Sequence, residues 1–260
     1  MMNTNELSLE VAKRLTEIVN DAWADGSMLE EVTPTTKELL KWWFSEEQCS
    51  IRKRNFHEGQ RQAILNIIYL HEVAKINTVT DTYDFVGEDL ITRADLATLA
   101  KAKYQIPKYA VKMATGTGKT WVMHAMLLWQ MLNARHEDEP SGRFTKNFLI
   151  VAPGLIVYDR LLDAFCGRIK RGTEYRDFDT NDFVLNQDVF IPVHIRQEVF
   201  SFIQNNVVTK EEGIGRKATG DGMIALTNWH LFENQLADDD QQEDGEVTVP
   251  QIIEQLLPIR

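Results

Sequence analysis

The segment KYAVKMATGTGKTWVMHAMLLW, Lys108 to Trp129, constrains this chain more than any other. Tyr109–Ala114 reads as a short apolar strand, and the residues after Gly118-Lys119-Thr120 read as an apolar helix. A glycine-rich turn between a strand and a helix is built to hold an anion. Glycine allows the bend that turns successive N–H groups toward one point. The new helix aims its positive end at the same place. A lysine there neutralises outer phosphates, and a threonine hydroxyl can hold Mg²⁺. Thr115, Gly116, Thr117, Gly118, Lys119 and Thr120 are therefore the expected phosphate-binding residues. ATP and Mg²⁺ are the expected cofactors, with Thr120 as metal ligand and Lys119 and Thr120 as candidate catalytic residues.

Around this turn the apolar pattern changes character. Before it, Leu7, Val11, Leu15, Ile18, Val19 and Ala22 mark one helical face. TKELLKWWF and HEGQRQAILNIIYLHEVA predict further helices, the second with Ala63, Ile64, Ile67, Ile68 and Leu70 inward. NTVTDTYDFVGED reads as loop and TRADLATLAKA as helix. After the turn, NFLIVAP, DVFIPVHI and GMIALTNWHLFEN read as strands alternating with helices. Such alternation implies an α/β fold, a parallel sheet flanked by helices. Trp121 and Trp129 are expected to pack on that sheet, and Trp42, Trp43 and Phe44 to lie in a core.

Composition narrows the function classes. The net charge is −11, from 39 acidic and 28 basic residues, which argues against a freestanding electrostatic DNA binder. Local basic patches remain, at Arg52-Lys53-Arg54 with Arg61 and at Arg168, Lys170 and Arg171. Asp238–Glu246 and His136–Pro140 are acidic runs that read as solvated loops. Cys49 and Cys166 lack metal-ligand spacing and suit free thiols in a cytoplasmic protein. No run is long and apolar enough to cross a bilayer, and the polar MMNTNELSLE does not read as a signal peptide. The histidines are scattered, which does not suggest a metal site.

The general phosphate-loop pattern wants a glycine five residues before Gly118, where this chain has Met113. MATGTGKT instead resembles motif I of superfamily two helicases and translocases, and especially the motor subunits of restriction enzymes. NFHEGQRQAI resembles the segment in which these motors place an adenine-reading glutamine. Gln60 is the candidate, with Gln62 the alternative by register. VAPGLIVYDRL resembles their motif Ia, where Pro153, Gly154 and Leu155 would meet the DNA backbone. MIALTNWHLF resembles a later strand end, where Thr227 and Asn228 would touch nucleic acid or brace the following helix. Together with DFVLNQDVFIP, these segments most resemble the N-terminal motor half of the type III restriction-modification Res subunit, over about residues 52–260. The resemblance implies a RecA-like P-loop NTPase domain preceded by a helical lead-in, residues 1–50. It further implies ATP-driven action on double-stranded DNA and a DNA methyltransferase (modification) subunit as partner.

Such motors also carry an Asp-Glu-x-His motif after a later apolar strand, which orients Mg²⁺ and the attacking water. Neither Asp138-Glu139 nor Asp238–Asp240 follows a buried strand in the sequence pattern. The expectation is thus an incomplete first motor domain, residues 51–260, whose remaining machinery lies in the rest of a longer parent chain. Three other readings keep the same loop: another superfamily two helicase of repair or phage defence, a small-molecule kinase, and a non-catalytic nucleotide-binding module.

Overall fold

The computed structural model describes residues 4–91, 93–94, 96–101, 105–138, 142–209 and 220–229. They fall into two compact units, Met1–Trp129 with Glu139–Arg143, and Gln130–Asp138 with Phe144–Arg260. Among the described residues the first unit is helical and the second contains the sheets.

The first unit holds α1 (Thr4–Ala24), α2 (Ser27–Glu31), α3 (Pro34–Phe44), α4 (Glu46–Ile51), α5 (Glu58–Ile68), α6 (Val79–Val86), α7 (Glu88–Ile91) and α8 (Leu96–Leu99). Local chemistry sets the helix starts. Thr33 caps α3 by accepting from the Thr36 N–H, and Pro34 occupies its first position. Leu15, Val19, Leu39, Leu40, Trp43, Ile64, Leu65 and Ile68 are buried here. Ala63 and Ile67, expected inward, are only half-buried, and Leu65 is buried in their place.

One buried carboxylate ties three segments of this unit together. Glu72 lies in a π-helical turn, Tyr69–Val73, that extends α5. It accepts from the Thr33 N–H at 2.9 Å, the Thr36 hydroxyl at 2.6 Å and the Trp129 indole N–H. Burial pushes its carboxyl above the usual range, and the hydrogen bonds pull it back. Nearby runs a chain of edge-to-face aromatics, Trp23–Phe44–Phe56–Trp121, with Trp43 against both Phe44 and Phe56. The Arg61 guanidinium lies 5.3 Å from the Trp23 ring centre. Trp121 and Trp129 thus pack against this helical unit, where the sequence pattern placed them on the sheet. Trp43 is fully buried, as a core residue should be.

The helix that follows the glycine loop, α9 (Lys119–His136), belongs to the first unit up to Trp129 and to the second from Gln130. The second unit continues with β1 (Asn147–Ala152), α10 (Leu155–Cys166), β2 (Arg168–Ile169), β3 (Arg176–Asp177), α11 (Asp182–Leu185), α12 (Gln187–Phe190), α13 (Arg196–Asn206), β4 (Val207–Val208) and β5 (Met223–Asn228). Strands β1, β5 and β4 form a parallel sheet in that order, with Ala152 opposite Asn228 in register. All six residues of β5 are buried, as befits a central strand. Phe165, Phe183 and Phe190 stack in series at 5.5 and 6.0 Å between ring centres.

Three elements differ from the sequence pattern. Tyr109–Ala114 forms no strand and is largely exposed, because alternation alone does not supply a neighbouring ladder to pair with. DVFIPVHI forms α12 and a 3₁₀ turn, Val193–Ile195, since Pro192 cannot donate to a sheet and a short apolar run suits either structure. Thr78–Val86 is not loop: the Thr78 hydroxyl caps α6 at the Asp81 N–H, and Asp81 answers at the Thr78 N–H. No helix among the described residues is long and apolar enough to cross a membrane. Cys49 and Cys166 are free thiols.

Trp129→Phe removes the indole donor from Glu72 while keeping an aromatic ring. Removing a hydrogen bond to a buried charged group costs about 1.5–3 kcal/mol, so chemical denaturation at neutral pH should show a destabilisation of that order. The Glu72 pKa is raised in the folded state, so folding binds the extra proton. This group's contribution is greatest below the unfolded carboxyl pKa and is lost as pH rises through the folded value. The Trp129 bond acts on the ionised carboxylate and lowers its pKa, so its loss raises the folded pKa further, and the variant should differ least from the parent in acid and most at neutral pH.

Candidate nucleotide and nucleic-acid sites

Gly116 and Gly118 adopt φ of 83° and 75°, left-handed values that a side chain resists. Space closes the second position as well. A Cβ on Gly118 would stand 2.3 Å from Gln60 Nε2. The loop is braced from within: the Thr117 hydroxyl donates to the Ala114 carbonyl at 2.7 Å. The Lys119 ammonium donates to the carbonyls of Met113 and Ala114, each at 2.8 Å. Among the described residues, the backbone N–H groups of Gly116, Gly118, Lys119 and Thr120 have no acceptor. Four such donors at the head of an eighteen-residue helix suit an oxyanion. A phosphate chain fits this donor set, and Thr120 lies half-buried in the first turn of α9.

Gln60 lies against this loop and is 2% exposed. Its Oε1 accepts from the His57 N–H at 2.7 Å, closing the start of α5. Its amide donates to the carbonyls of Thr117 and Gly118, both at 3.1 Å. This bracing role was not anticipated from the sequence. The three-residue spacing from His57 to Gln60, that of a capping pair, was the available signal. Gln62 instead bonds Asn66 on its own helix at 2.8 Å.

In the second unit, Gly154 is the residue before α10, and its carbonyl accepts from the Tyr158 N–H at 3.0 Å. Leu155 opens α10 and is 56% exposed. Pro153 has no N–H, so the backbone donors at this turn are Gly154 and the first residues of α10. Thr227 and Asn228 end β5 one register step from this turn and are buried. Burial suits the bracing side of the expectation better than contact with nucleic acid. Within the described residues, the Thr227 hydroxyl and both polar atoms of the Asn228 amide have no hydrogen-bond partner.

His124, on α9, is fully buried, and burial lowers its pKa to about 3, so it stays neutral at any working pH. Among the described residues no three His, Cys, Asp or Glu side chains cluster as metal ligands. The whole acidic run Asp238–Glu246, with Asp238–Asp240, lies outside the described residues.

A glycine loop with open N–H donors at a helix head, in a chain that also holds a parallel sheet, defines a protein of the phosphate-loop class. Residues 53–246 match the family described as type III restriction enzyme, res subunit, and the chain belongs to that family. No curated protein and no solved structure matches the chain. Membership carries a helicase-like, ATP-dependent function in general terms.

Gln60→Ala should weaken ATP and GTP together, because the loop loses two hydrogen bonds that hold its shape. If the amide also reads adenine, ATP should lose more than GTP. Calorimetric titration of both nucleotides separates these effects, and unchanged affinity for both would remove Gln60 from the site.

Proposed function

We propose that this chain is the nucleotide-binding motor portion, RecA-like in fold, of a type III restriction Res subunit. In this reading it couples ATP to movement along double-stranded DNA, in the cytoplasm, together with a DNA methyltransferase subunit. The observation that carries the reading is the set of open N–H donors on Gly116–Thr120, within a segment matched to the Res family.

Each residue then has a chemical task. Gly116, Gly118, Lys119 and Thr120 direct N–H groups at phosphate oxygens, with Thr115 and Thr117 shaping the loop. Lys119 exchanges the carbonyls of Met113 and Ala114 for the outer phosphates, where its charge offsets the negative charge of the transferring group. The Thr120 hydroxyl would help hold Mg²⁺, which would supply positive charge against the phosphates. To read adenine, Gln60 must release at least one of the two carbonyls it now holds. Gly154 and Leu155, beside Pro153, meet the DNA backbone at the carboxyl edge of the sheet, where open parallel sheets bind ligands. Thr227 and Asn228 support that edge.

Lys119→Ala removes charge-assisted bonds, each worth about 1.5–3 kcal/mol. ATP affinity measured with Mg²⁺ should fall by about a hundredfold or more. Thr120→Ala should lose affinity for ATP with Mg²⁺ present and little when the metal is chelated. If the Lys119 variant binds ATP as the parent does, the loop is not a phosphate site and the proposal fails.

A further inference from the structure

We propose that the short hairpin after α10, residues 167–176, is a second DNA-contacting element that grips the phosphate backbone of a duplex. This rests on the reading that the chain works on DNA, and adds a site to it.

The sequence GRIKRGTEYR holds four basic residues and one acid, in a chain whose net charge is −11. Three of the four, Arg168, Lys170 and Arg171, are exposed and form no ion pair among the described residues. The fourth, Arg176, fixes the hairpin base. Its guanidinium donates to Asp163 and to the Gly167 carbonyl, both at 2.7 Å. Of the acids that follow, Asp177 accepts from the Asp179 N–H at 3.2 Å. Arg168 also faces Asp182, whose carboxyl it stabilises against burial.

The hairpin is built rather than slack. Strands β2 and β3 pair Arg168 with Asp177 and Ile169 with Arg176. Gly167 (φ 84°) passes so close to the Asp177 carbonyl that a Cβ there would overlap it. The Arg168 N–H donates to the Thr180 hydroxyl at 2.7 Å, and the Lys170 N–H to the Tyr175 carbonyl at 2.9 Å. This braced frame carries apolar groups into solvent: Ile169 is 58% and Tyr175 80% exposed. Exposed cations beside an exposed phenol match a sugar-phosphate surface. The cations neutralise phosphates, while the ring covers sugar and its hydroxyl donates to a phosphate oxygen. The hairpin lies at the far end of α10 from Gly154 and Leu155. Twelve helical residues span about 18 Å, or roughly five base-pair steps.

The test uses the whole chain with a fluorescent 30-base-pair duplex, and with one of its strands alone, by anisotropy over a salt series. The triple variant Arg168→Ala/Lys170→Ala/Arg171→Ala should bind the duplex at least about tenfold more weakly. Its log–log salt slope should be shallower by about 0.9 for each phosphate that is no longer neutralised. Tyr175→Ala should weaken binding several-fold at unchanged slope, with Tyr175→Phe restoring part of the affinity. A triple alanine variant of the exposed Lys13, Lys41 and Lys75 changes net charge equally and should leave the slope close to that of the parent. Equal weakening in both triple variants, unchanged binding in the hairpin variant, or an effect confined to the single strand would each overturn the proposal. ATP binding measured on the same samples separates the two claims. Retained ATP affinity with no hairpin effect sinks the hairpin alone, whereas no DNA binding by the parent overturns both the hairpin and the DNA side of the motor reading.

Discussion

The nucleotide loop keeps its shape because Gln60 holds it. A loop that offers N–H groups to a phosphate must bend sharply, and bending turns its carbonyls outward on the opposite side. Those carbonyls need donors when buried. Gln60 supplies two, to Thr117 and Gly118, while its own carbonyl closes the start of α5 at His57. One buried amide therefore couples the start of α5 to the glycine loop. The absence of a side chain at Gly118 is what lets that amide approach.

The Glu72 node acts further along the same helix. Trp129 sits ten residues beyond Lys119 on α9. It donates to the Glu72 carboxylate, which in turn satisfies the start of α3 through Thr33 and Thr36. Burying a carboxylate is costly unless its oxygens are satisfied. Here three donors converge on it, so charge and geometry favour one arrangement of α3, the π-helical turn and α9. With Trp121 in the aromatic chain, the first eleven residues of α9 have two fixed points on the helical unit. The loop at the head of that helix is thus placed by contacts far from the phosphates.

Legibility in the sequence followed the physical range of each signal. The glycine loop, β1, β5 and the helices α1, α3 and α5 rest on local chemistry or long periodic patterns, and the structure contains them. Residues 78–86 also carried a readable signal, the Thr78–Asp81 capping pair, which yields to the impression of loop only if polarity is weighed above cap chemistry. Tyr109–Ala114 and DVFIPVHI were not legible, because apolar runs of this length become strands only when a neighbour pairs with them. The sequence offered Gln60 as an adenine reader, and the structure shows it as a brace of the glycine loop. A hydrogen bond to a carbonyl fifty-seven residues away leaves no periodic trace.

Met113 shows why the departure from the general phosphate-loop pattern is tolerable. A glycine is needed where the backbone takes a left-handed φ or where another group must pass close. Among the described non-glycine residues, only Lys75 has a positive φ, so Met113 bears no such strain. The sharp turns fall at Gly116 and Gly118, and both are glycine. What position 113 contributes is its carbonyl, which with that of Ala114 receives the Lys119 ammonium. Any residue supplies a carbonyl, so the side chain there is free to vary. In the proposed function the same contact sets a condition on binding: two charge-assisted bonds would be exchanged for bonds to phosphate. Net affinity for nucleotide is then the difference between two well-satisfied states of one lysine, which makes it sensitive to the shape of the 113–114 backbone and, through Gln60, to the helix packed beside it.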